Sequence, residues 1–312
     1  MNIEAPNSNY NDEIDLREWL DVLWRKKKFI ILVTTVFALG SVVYALSLTN
    51  YYRSEAVLII TDESSKASPL QGLGGIASMA GLNLQNSGQD KSMLVLETLK
   101  SRVFLSHLLD FDDVLPSLMA PKIYEINTKK LIYDEEIYDS ENKTWVREIK
   151  DGGNSKPSYL EAYDTYKQQV IITRDANPNL ITISVEHISP IFAKDFLQLI
   201  IDETDELMRQ KDLKESSDAI RFLSAEMSKS SLVSMKDAIN QLVQSRLEMQ
   251  MMARISADYI LQVVEPPFIP EKKFKPQRSL ICIIGTLIGA ALAIFWILIQ
   301  HYTHGAKKSI QN

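Results

Sequence analysis

The stretch that decides the fold lies near the carboxyl end, at residues 263–299: VVEPPFIPEKKFKPQRSLICIIGTLIGAALAIFWILI. Prolines and basic residues lead directly into an uncharged run at residues 280–299. At about 1.5 Å per residue, a helix of this run just spans a hydrocarbon core of roughly 30 Å. Each proline also restricts its own backbone and that of the residue before it. The pattern therefore predicts a transmembrane helix with a stiff, basic approach.

A second run of the same kind, FIILVTTVFALGSVVYALSL, occupies residues 29–48. A charged residue at the centre of such a run costs about 2.5–3.5 kcal/mol on insertion scales, and neither run contains one. A cleaved signal peptide is the alternative, because basic residues precede this run and residues 45–47 (ALS) resemble a cleavage site. The run exceeds the usual apolar region of about 7 to 15 residues, so a retained span is predicted.

The charges that flank the first span predict the orientation. Basic residues precede it, at Arg25, Lys26, Lys27 and Lys28. Cytoplasmic flanks carry the excess of lysine and arginine, so the amino terminus is predicted to be cytoplasmic, and two spans return the carboxyl terminus to that side. The second span indicates the opposite orientation, because four basic residues lie on its predicted outer side: Lys272, Lys273, Lys275 and Arg278. The first span usually dominates, which predicts a two-pass inner-membrane protein with a periplasmic domain if the cell is Gram-negative.

These features divide the chain into predicted segments. They are a cytoplasmic segment at 1–28, spans at 29–48 and 280–299, a periplasmic domain at 49–279 with a proline-rich connector at 265–278, and a cytoplasmic tail at 300–312. An amphipathic lead-in helix is predicted at 12–28, where Trp19 and Trp24, with the four basic residues, are expected to anchor the membrane interface. The only cysteine, Cys282, lies in a span, so the large domain is expected to fold without disulfides.

Periodicity within the large domain predicts an α+β fold. Apolar alternation and turn residues predict strands at 52–61, 170–174, 180–186 and 259–264. Helical spacing predicts helices at 90–111 and from Pro157 to about 169, whereas residues 112–156 give no clear pattern. The glycine- and alanine-rich stretch at 69–84 is predicted to pack into the domain or a subunit contact, with a mobile loop facing a partner or lipid as the alternative.

The most extended feature is residues 189–256, where only Pro190 interrupts helical character, at a position where proline is tolerated. The apolar spacing slackens near 228–236 and then resumes. This pattern predicts two long helices that form an extended hairpin arm with coiled-coil character. So long a pair cannot be buried within one small domain, and its partner surfaces are expected to come from neighbouring copies.

Residues that could carry chemistry give little support for an enzyme, a cofactor or a metal site. His107 and His187 are interpreted as standing alone, and the acidic group at residues 202–206 as a solvated helix face. The sequence contains no phosphate-binding glycine loop, nucleophile elbow, paired cysteine motif or zinc-protease motif. Acids outnumber bases between residues 49 and 279, which argues against nucleic acid. We therefore expect a non-enzymatic protein.

Taken together, these features resemble the Wzz-type chain-length determinants of the polysaccharide co-polymerase family. The resemblance is sharpest in IDLREWLDVLWRKKK at 14–28 and YRSEA at 52–56. The family's P-x-x-P-x-x-x-x-S-P pattern is matched by Pro267, Pro270 and Pro276, with Lys275 in place of the serine. Gly285 and Gly289 fall in its glycine-rich span segment, and their spacing lets another helix approach closely.

The resemblance implies an α/β base near the membrane and a long helical arm, assembled as a homo-oligomeric ring. It implies control of how many units a periplasmic polymerase adds to a lipid-linked polysaccharide, most often lipopolysaccharide O-antigen. Besides the polymerase, the polysaccharide and membrane lipids are the implied partners. The three prolines and two glycines are then candidate assembly or partner contacts, with ordinary anchoring as the alternative. The alternative function is an adaptor or tether in capsule or exopolysaccharide export.

Overall fold

A computed structural model describes residues 24–61, 87–148, 155–174, 179–229 and 232–309 of the 312-residue chain. The chain divides into two compact units, one formed by residues 1–49 with 276–312 and the other by residues 50–275. Part of the predicted lead-in helix, including Trp19, lies outside the described residues. So does the glycine- and alanine-rich stretch at 69–84.

Two helices form the first unit, α1 (Lys27–Ser47) and α8 (Arg278–Ser309). Both are long and apolar enough to cross a membrane, with mean hydropathies of 2.4 over Lys27–Ser47 and 2.6 over Arg278–Gln300. The hydroxyls of Thr35, Ser41 and Thr286 donate to carbonyls of their own helix. These bonds leave few polar groups to be solvated in lipid. The unit fits a two-pass membrane protein.

The second unit is built on a four-stranded antiparallel sheet. Its strands are β1 (Tyr52–Ile60), β6 (Val170–Arg174), β7 (Leu180–His187) and β8 (Leu261–Glu265), in the spatial order β6-β7-β1-β8. Strand β1 alternates, burying Ser54, Ala56, Leu58 and Ile60 on one face. The predicted strands are confirmed, except that the last one begins two residues late.

The predicted single helix at 90–111 is wrong, because the chain forms two helices there, α2 (Ser87–Leu99) and α3 (Arg102–Leu108). Ser101 adopts an extended conformation with φ −79° and ψ 149°, and its side chain accepts the Phe104 N–H. This N-cap ends one helix and begins the next. The apolar spacing continues across the break because both helices face the same core.

Residues 112–148, which gave no clear pattern, form a short helix and two small hairpins. These elements are α4 (Val114–Met119), β2 (Pro121–Glu125) paired with β3 (Lys130–Tyr133), and β4 (Tyr138–Asp139) paired with β5 (Thr144–Trp145). Helix α5 (Tyr159–Gln169) follows. Pro157 precedes its cap instead of opening its first turn, because Ser158 and Glu161 form a capping box.

The two long helices are confirmed as α6 (Pro190–Lys229, 40 residues) and α7 (Val233–Ile255, 23 residues). They pack against each other, and the first is about 60 Å long at 1.5 Å per residue. Its amino-terminal half packs on the sheet and contributes Phe196, Leu197 and Ile200 to the core. The sheet with this helix pair and the two apolar helices confirm the predicted α+β class.

Candidate functional site

The segment that follows β8 is tied to β1 at two places. The Phe274 N–H donates to the Tyr51 carbonyl (2.8 Å), and the Tyr51 N–H donates to the Lys275 carbonyl (2.9 Å). Further along β1, the Ser54 hydroxyl donates to the Phe268 carbonyl at 2.7 Å. Residues 265–275 of the connector are therefore held along the strand and are also stiffened by their prolines.

Glu186, at the end of β7, is the charged centre of this junction. Its nearly buried carboxylate pairs with the Arg53 guanidinium and, at 2.7 Å, with the Lys275 ammonium. Burial alone would raise the pKa of Glu186, but the hydrogen bonds from Lys275 and Arg53 outweigh burial and lower it. Lys275, which replaces the serine of the family pattern, thus binds the connector to the sheet.

Arg53 joins the same junction through its flat face. The centre of its guanidinium lies 3.5 Å from the centroid of the Phe274 ring, within the range of a cation–π contact. One side chain therefore connects β1, the end of β7 and the connector. The arrangement favours a rigid junction at the last residues before Pro276.

An open groove of about 580 Å³ lies along the connector, lined by Arg53, Glu55 and residues 268–274. Pro267 and Pro270 are buried, whereas Phe268 and Ile269 are 53% and 54% exposed. The exposed surface of the groove thus includes the apolar pair between the prolines, together with Glu271, Lys272 and Lys273. The sequence analysis did not identify Phe268 and Ile269 as a candidate contact surface. The signal that could have indicated it is the position of two apolar residues between two prolines.

The predicted close helix approach at the two glycines is found within the chain. A Cβ added at Gly285 would lie 2.5 Å from the Ser41 Cβ, and one at Gly289 would lie 2.5 Å from the Phe37 Cβ. Both contacts belong to α1, so the absence of side chains lets the two apolar helices touch. A contact of these glycines with a neighbouring subunit or the polymerase stays a prediction. Pro276, in the same unit, is half-buried.

The predicted interface anchors other than Trp19, which lies outside the described residues, are residues 24–28, just before and at the start of α1. Trp24 is 68% exposed, and the Lys27 ammonium lies 4.8 Å from the centroid of its ring. Lys26 hydrogen-bonds to Gln300 near the other end of α8. Arg25 and Lys28 are exposed. This grouping of an aromatic ring with cations is typical of a headgroup-level anchor, and that role stays a prediction.

The interpretation that His107 stands alone is wrong, whereas His187 has hydrogen bonds only to backbone groups. His107 Nε2 lies 2.6 Å from the Glu203 carboxylate. His187 is buried, its Nε2 donating to the Ser117 carbonyl at 2.9 Å and its Nδ1 accepting the Ser189 N–H at 3.0 Å. Burial lowers the pKa of His187 to about 4. Both histidines therefore join elements that are far apart in the chain.

The interpretation of residues 202–206 as a solvated face is also wrong at Asp205. Its buried carboxylate accepts the N–H groups of Tyr259, Ile260 and Leu261 at 2.7–3.1 Å and pairs with Arg209 at 2.8 Å. Those N–H groups lie where the strand was predicted to begin, which explains the late start of β8. Over the described parts of the chain, no group of three or more histidine, cysteine or acidic side chains could hold a metal ion.

The architecture and the connector together define a class: an α+β protein with a long helix pair and two apolar helices that could each cross a membrane. The family model described as "Wzz: Chain length determinant protein" matches residues 12–110, which is less than half of the chain. The match confirms, over that stretch, the resemblance predicted from the sequence. No curated protein matches the chain.

The solved structures similar to the chain include two described as polysaccharide co-polymerases. One is described as a full-length bacterial polysaccharide co-polymerase, with 14% identity, a TM-score of 0.42, and coverage of 94% of this chain and 99% of the other. The second is described as a fragment of WzzB, a polysaccharide co-polymerase from Salmonella Typhimurium, with 14% identity, a TM-score of 0.34, and coverage of 72% and 100%. Sequence identities and TM-scores this low do not assign a function to the chain.

Proposed function

We propose that this protein is a non-enzymatic regulator of polysaccharide chain length. It acts as an oligomeric inner-membrane scaffold with the periplasmic polymerase that extends a lipid-linked polysaccharide, most often lipopolysaccharide O-antigen. The observation that carries the proposal is the family match over residues 12–110, which includes α1, β1 and α3. The connector, with its family proline pattern and its fixed attachment to β1, supports it.

The long helix pair supports an oligomeric scaffold. Apolar side chains along it are exposed in the single chain, with Phe222 at 67%, Val233 at 74% and Ile255 at 76%. Extended apolar surface of this kind usually marks an interaction site. Sister copies of the same pair are the proposed partners, because each copy presents the same unpartnered surface.

The large unit is proposed to be periplasmic, with both termini in the cytoplasm. The basic residues 25–28 at the start of α1 support this orientation. Protease added outside spheroplasts should then cleave the large unit while a cytosolic control protein stays intact. An uncleaved large unit would reject the orientation.

The connector and the second apolar helix are the proposed places where the scaffold meets the polymerase or the lipid carrier. Pro267, Pro270 and Pro276 set the path of the connector, and Phe268 and Ile269 are the exposed groups available for contact. Gly285 and Gly289 set the packing of α8 on α1. The competing interpretation is that these residues only anchor the protein in the membrane. The Gly289→Leu substitution separates partner contact from simple anchoring.

Deleting the chromosomal gene and separating the surface polysaccharide on a gel tests the function. Chain-length control predicts a changed modal length, restored by a plasmid copy of the wild-type gene. Loss of the surface polymer would favour the alternative, an adaptor or tether in capsule or exopolysaccharide export. A ladder identical to that of the parent strain would contradict both functions.

A further inference from the structure

A second cleft lies away from the connector groove, between the α3-α4 loop, the start of α4 and the small hairpin β4-β5. Its aromatic wall consists of Tyr138 and Trp145, and its other apolar lining residues are Leu109, Leu115 and Pro116. Exposed charged side chains of both signs, Asp110, Asp112, Lys143 and Lys156, complete the lining. The cleft has a volume of about 350 Å³, within the usual range for small-ligand sites.

The aromatic wall is held in place by its own hairpin. Tyr138 and Trp145 are directly opposite each other in the β4-β5 pair, with ring centroids 4.9 Å apart. Tyr133 packs edge-on against Tyr138 at 5.5 Å. Trp145 is only partly buried and borders the cleft. A ligand therefore meets an aromatic surface that does not need to be ordered on binding.

The turn that carries Lys143 is fixed in the same way. The Asp139 carboxylate accepts the backbone N–H groups of Glu141 and Asn142 at 2.9 Å and 3.0 Å. The same carboxylate accepts the Asn142 side-chain amide at 2.8 Å. Lys143 itself has a φ of 52°, in the left-handed region that residues other than glycine seldom adopt. Lys129, at the corresponding position of the β2-β3 turn, has a φ of 55°, so this conformation closes the hairpin turn.

The chemistry of the lining distinguishes between ligand classes. A simple anion would be repelled by the carboxylates of Asp110 and Asp112, and a simple cation by Lys143 and Lys156. A sugar carries hydroxyls that both donate to carboxylates and accept from ammonium groups. The C–H groups on the face of a sugar ring suit the electron-rich face of an aromatic side chain. Carbohydrate is therefore the class that matches both parts of the lining.

We propose that this cleft binds sugar residues of the polysaccharide whose length the protein controls. The C–H face of a sugar ring lies on Trp145, its hydroxyls donate to Asp110 and Asp112, and Lys143 donates to a ring substituent. The site would retain the growing chain on the large unit without any covalent step. This inference rests on the proposed function, because that function brings a polysaccharide to the protein.

The test measures binding of oligosaccharides released from the producing strain's surface polysaccharide to the full-length protein in detergent. We expect Trp145→Leu, which keeps an apolar side chain beside Tyr138, to weaken binding about tenfold, as the loss of one aromatic stacking surface predicts. Tyr159→Leu is the matched control, because Tyr159 is 50% exposed and does not line the cleft. This control variant should bind like the wild type.

A second variant is needed because Trp145→Leu could weaken binding through a folding defect. Asp112→Asn with Lys143→Gln changes two exposed side chains, and it should weaken glycan binding severalfold while the circular dichroism stays unchanged. The proposed sugar site would be rejected if both variants bound the glycan as tightly as the wild type. It would also be rejected if the cleft bound inorganic pyrophosphate and not the glycan. The gel of the deletion strain does not depend on this cleft, so the site and the proposed function can fail separately.

Discussion

Asp205 is the residue that joins the long helix α6 to the beginning of β8. Its carboxylate satisfies three consecutive backbone N–H groups in a buried position and is balanced by Arg209. A buried carboxylate without such partners would be costly, and three buried N–H groups without an acceptor would be equally so. The pairing therefore determines where the returning chain enters the sheet.

Asp205→Ala should destabilise the protein by about 3 kcal/mol, because it leaves three buried N–H groups without their acceptor and removes one partner of Arg209. The control is Asp202→Ala, one turn away on the same helix, where the side chain is exposed and accepts a bond from Gln198. That change should cost less than about 0.5 kcal/mol. Urea unfolding followed by circular dichroism measures both, and equal midpoints for the two variants would contradict the assignment.

His187 should make stability depend on pH. The pKa of the buried imidazole is about 4, below its ordinary 6.5, so the unfolded chain takes up a proton first as the pH falls. The stabilisation is complete above about pH 6.5 and is lost as the pH falls towards 4, by up to about 3 kcal/mol. Glu186 titrates below its ordinary 4.5, so it leaves most of this window undisturbed.

Unfolding midpoints measured at about pH 7, 5.5 and 4.5 test this expectation. His187→Gln should flatten the dependence across the window, although it lowers stability at neutral pH. His107→Gln, which changes the more exposed histidine, should keep the loss of stability at low pH. A wild-type midpoint that stays constant over this window would show that His187 does not titrate as proposed.

At the scale of elements, the contact between α1 and α8 depends on small residues. Gly285 and Gly289 face Ser41 and Phe37 so closely that even one added carbon would require the helices to move. Gly40, also in α1, has no such neighbour within 4 Å of its added Cβ. The glycines of the two helices are therefore not equivalent, which provides an internal control.

Gly289→Leu should shift the length distribution of the surface polysaccharide while the amount of protein in the membrane stays normal. Gly40→Leu should leave the distribution unchanged. Adding Phe37→Ala to Gly289→Leu should restore the parental ladder if the contact within the chain is what matters. A shifted ladder that Phe37→Ala does not restore would point to a contact with another molecule, and an unshifted ladder would reject a role for Gly289.

At the scale of the whole molecule, the α6-α7 pair has more apolar surface than one copy covers. We expect the full-length protein in detergent to be a homo-oligomer, and Phe222→Ser to lower its mass as measured by light scattering. Val103→Ser is the control, because Val103 is 81% exposed but lies outside the pair. A wild-type protein that remains a stable monomer would contradict the scaffold proposal.

Much of the fold could be predicted from the sequence because it depends on local patterns. The two apolar runs became α1 and α8, alternation located β1, β6 and β7, and the unbroken helical stretch became α6 and α7. Hydrophobic periodicity and helix-breaking residues act over a few positions, so they can be recognised without knowing the neighbours in space.

The remaining features were decided by tertiary contacts between residues far apart in the chain. Glu186 and Lys275 are 89 positions apart, and Asp205 and Tyr259 are 54 apart. Whether an acid is solvated or buried, or which face of a proline segment is exposed, depends on which distant segment packs beside it. For the same reason the aromatic cleft at Trp145 could not be found in a stretch without periodicity, because its lining comes from the α3-α4 loop, α4, the small hairpin and Lys156, which are separate in the sequence.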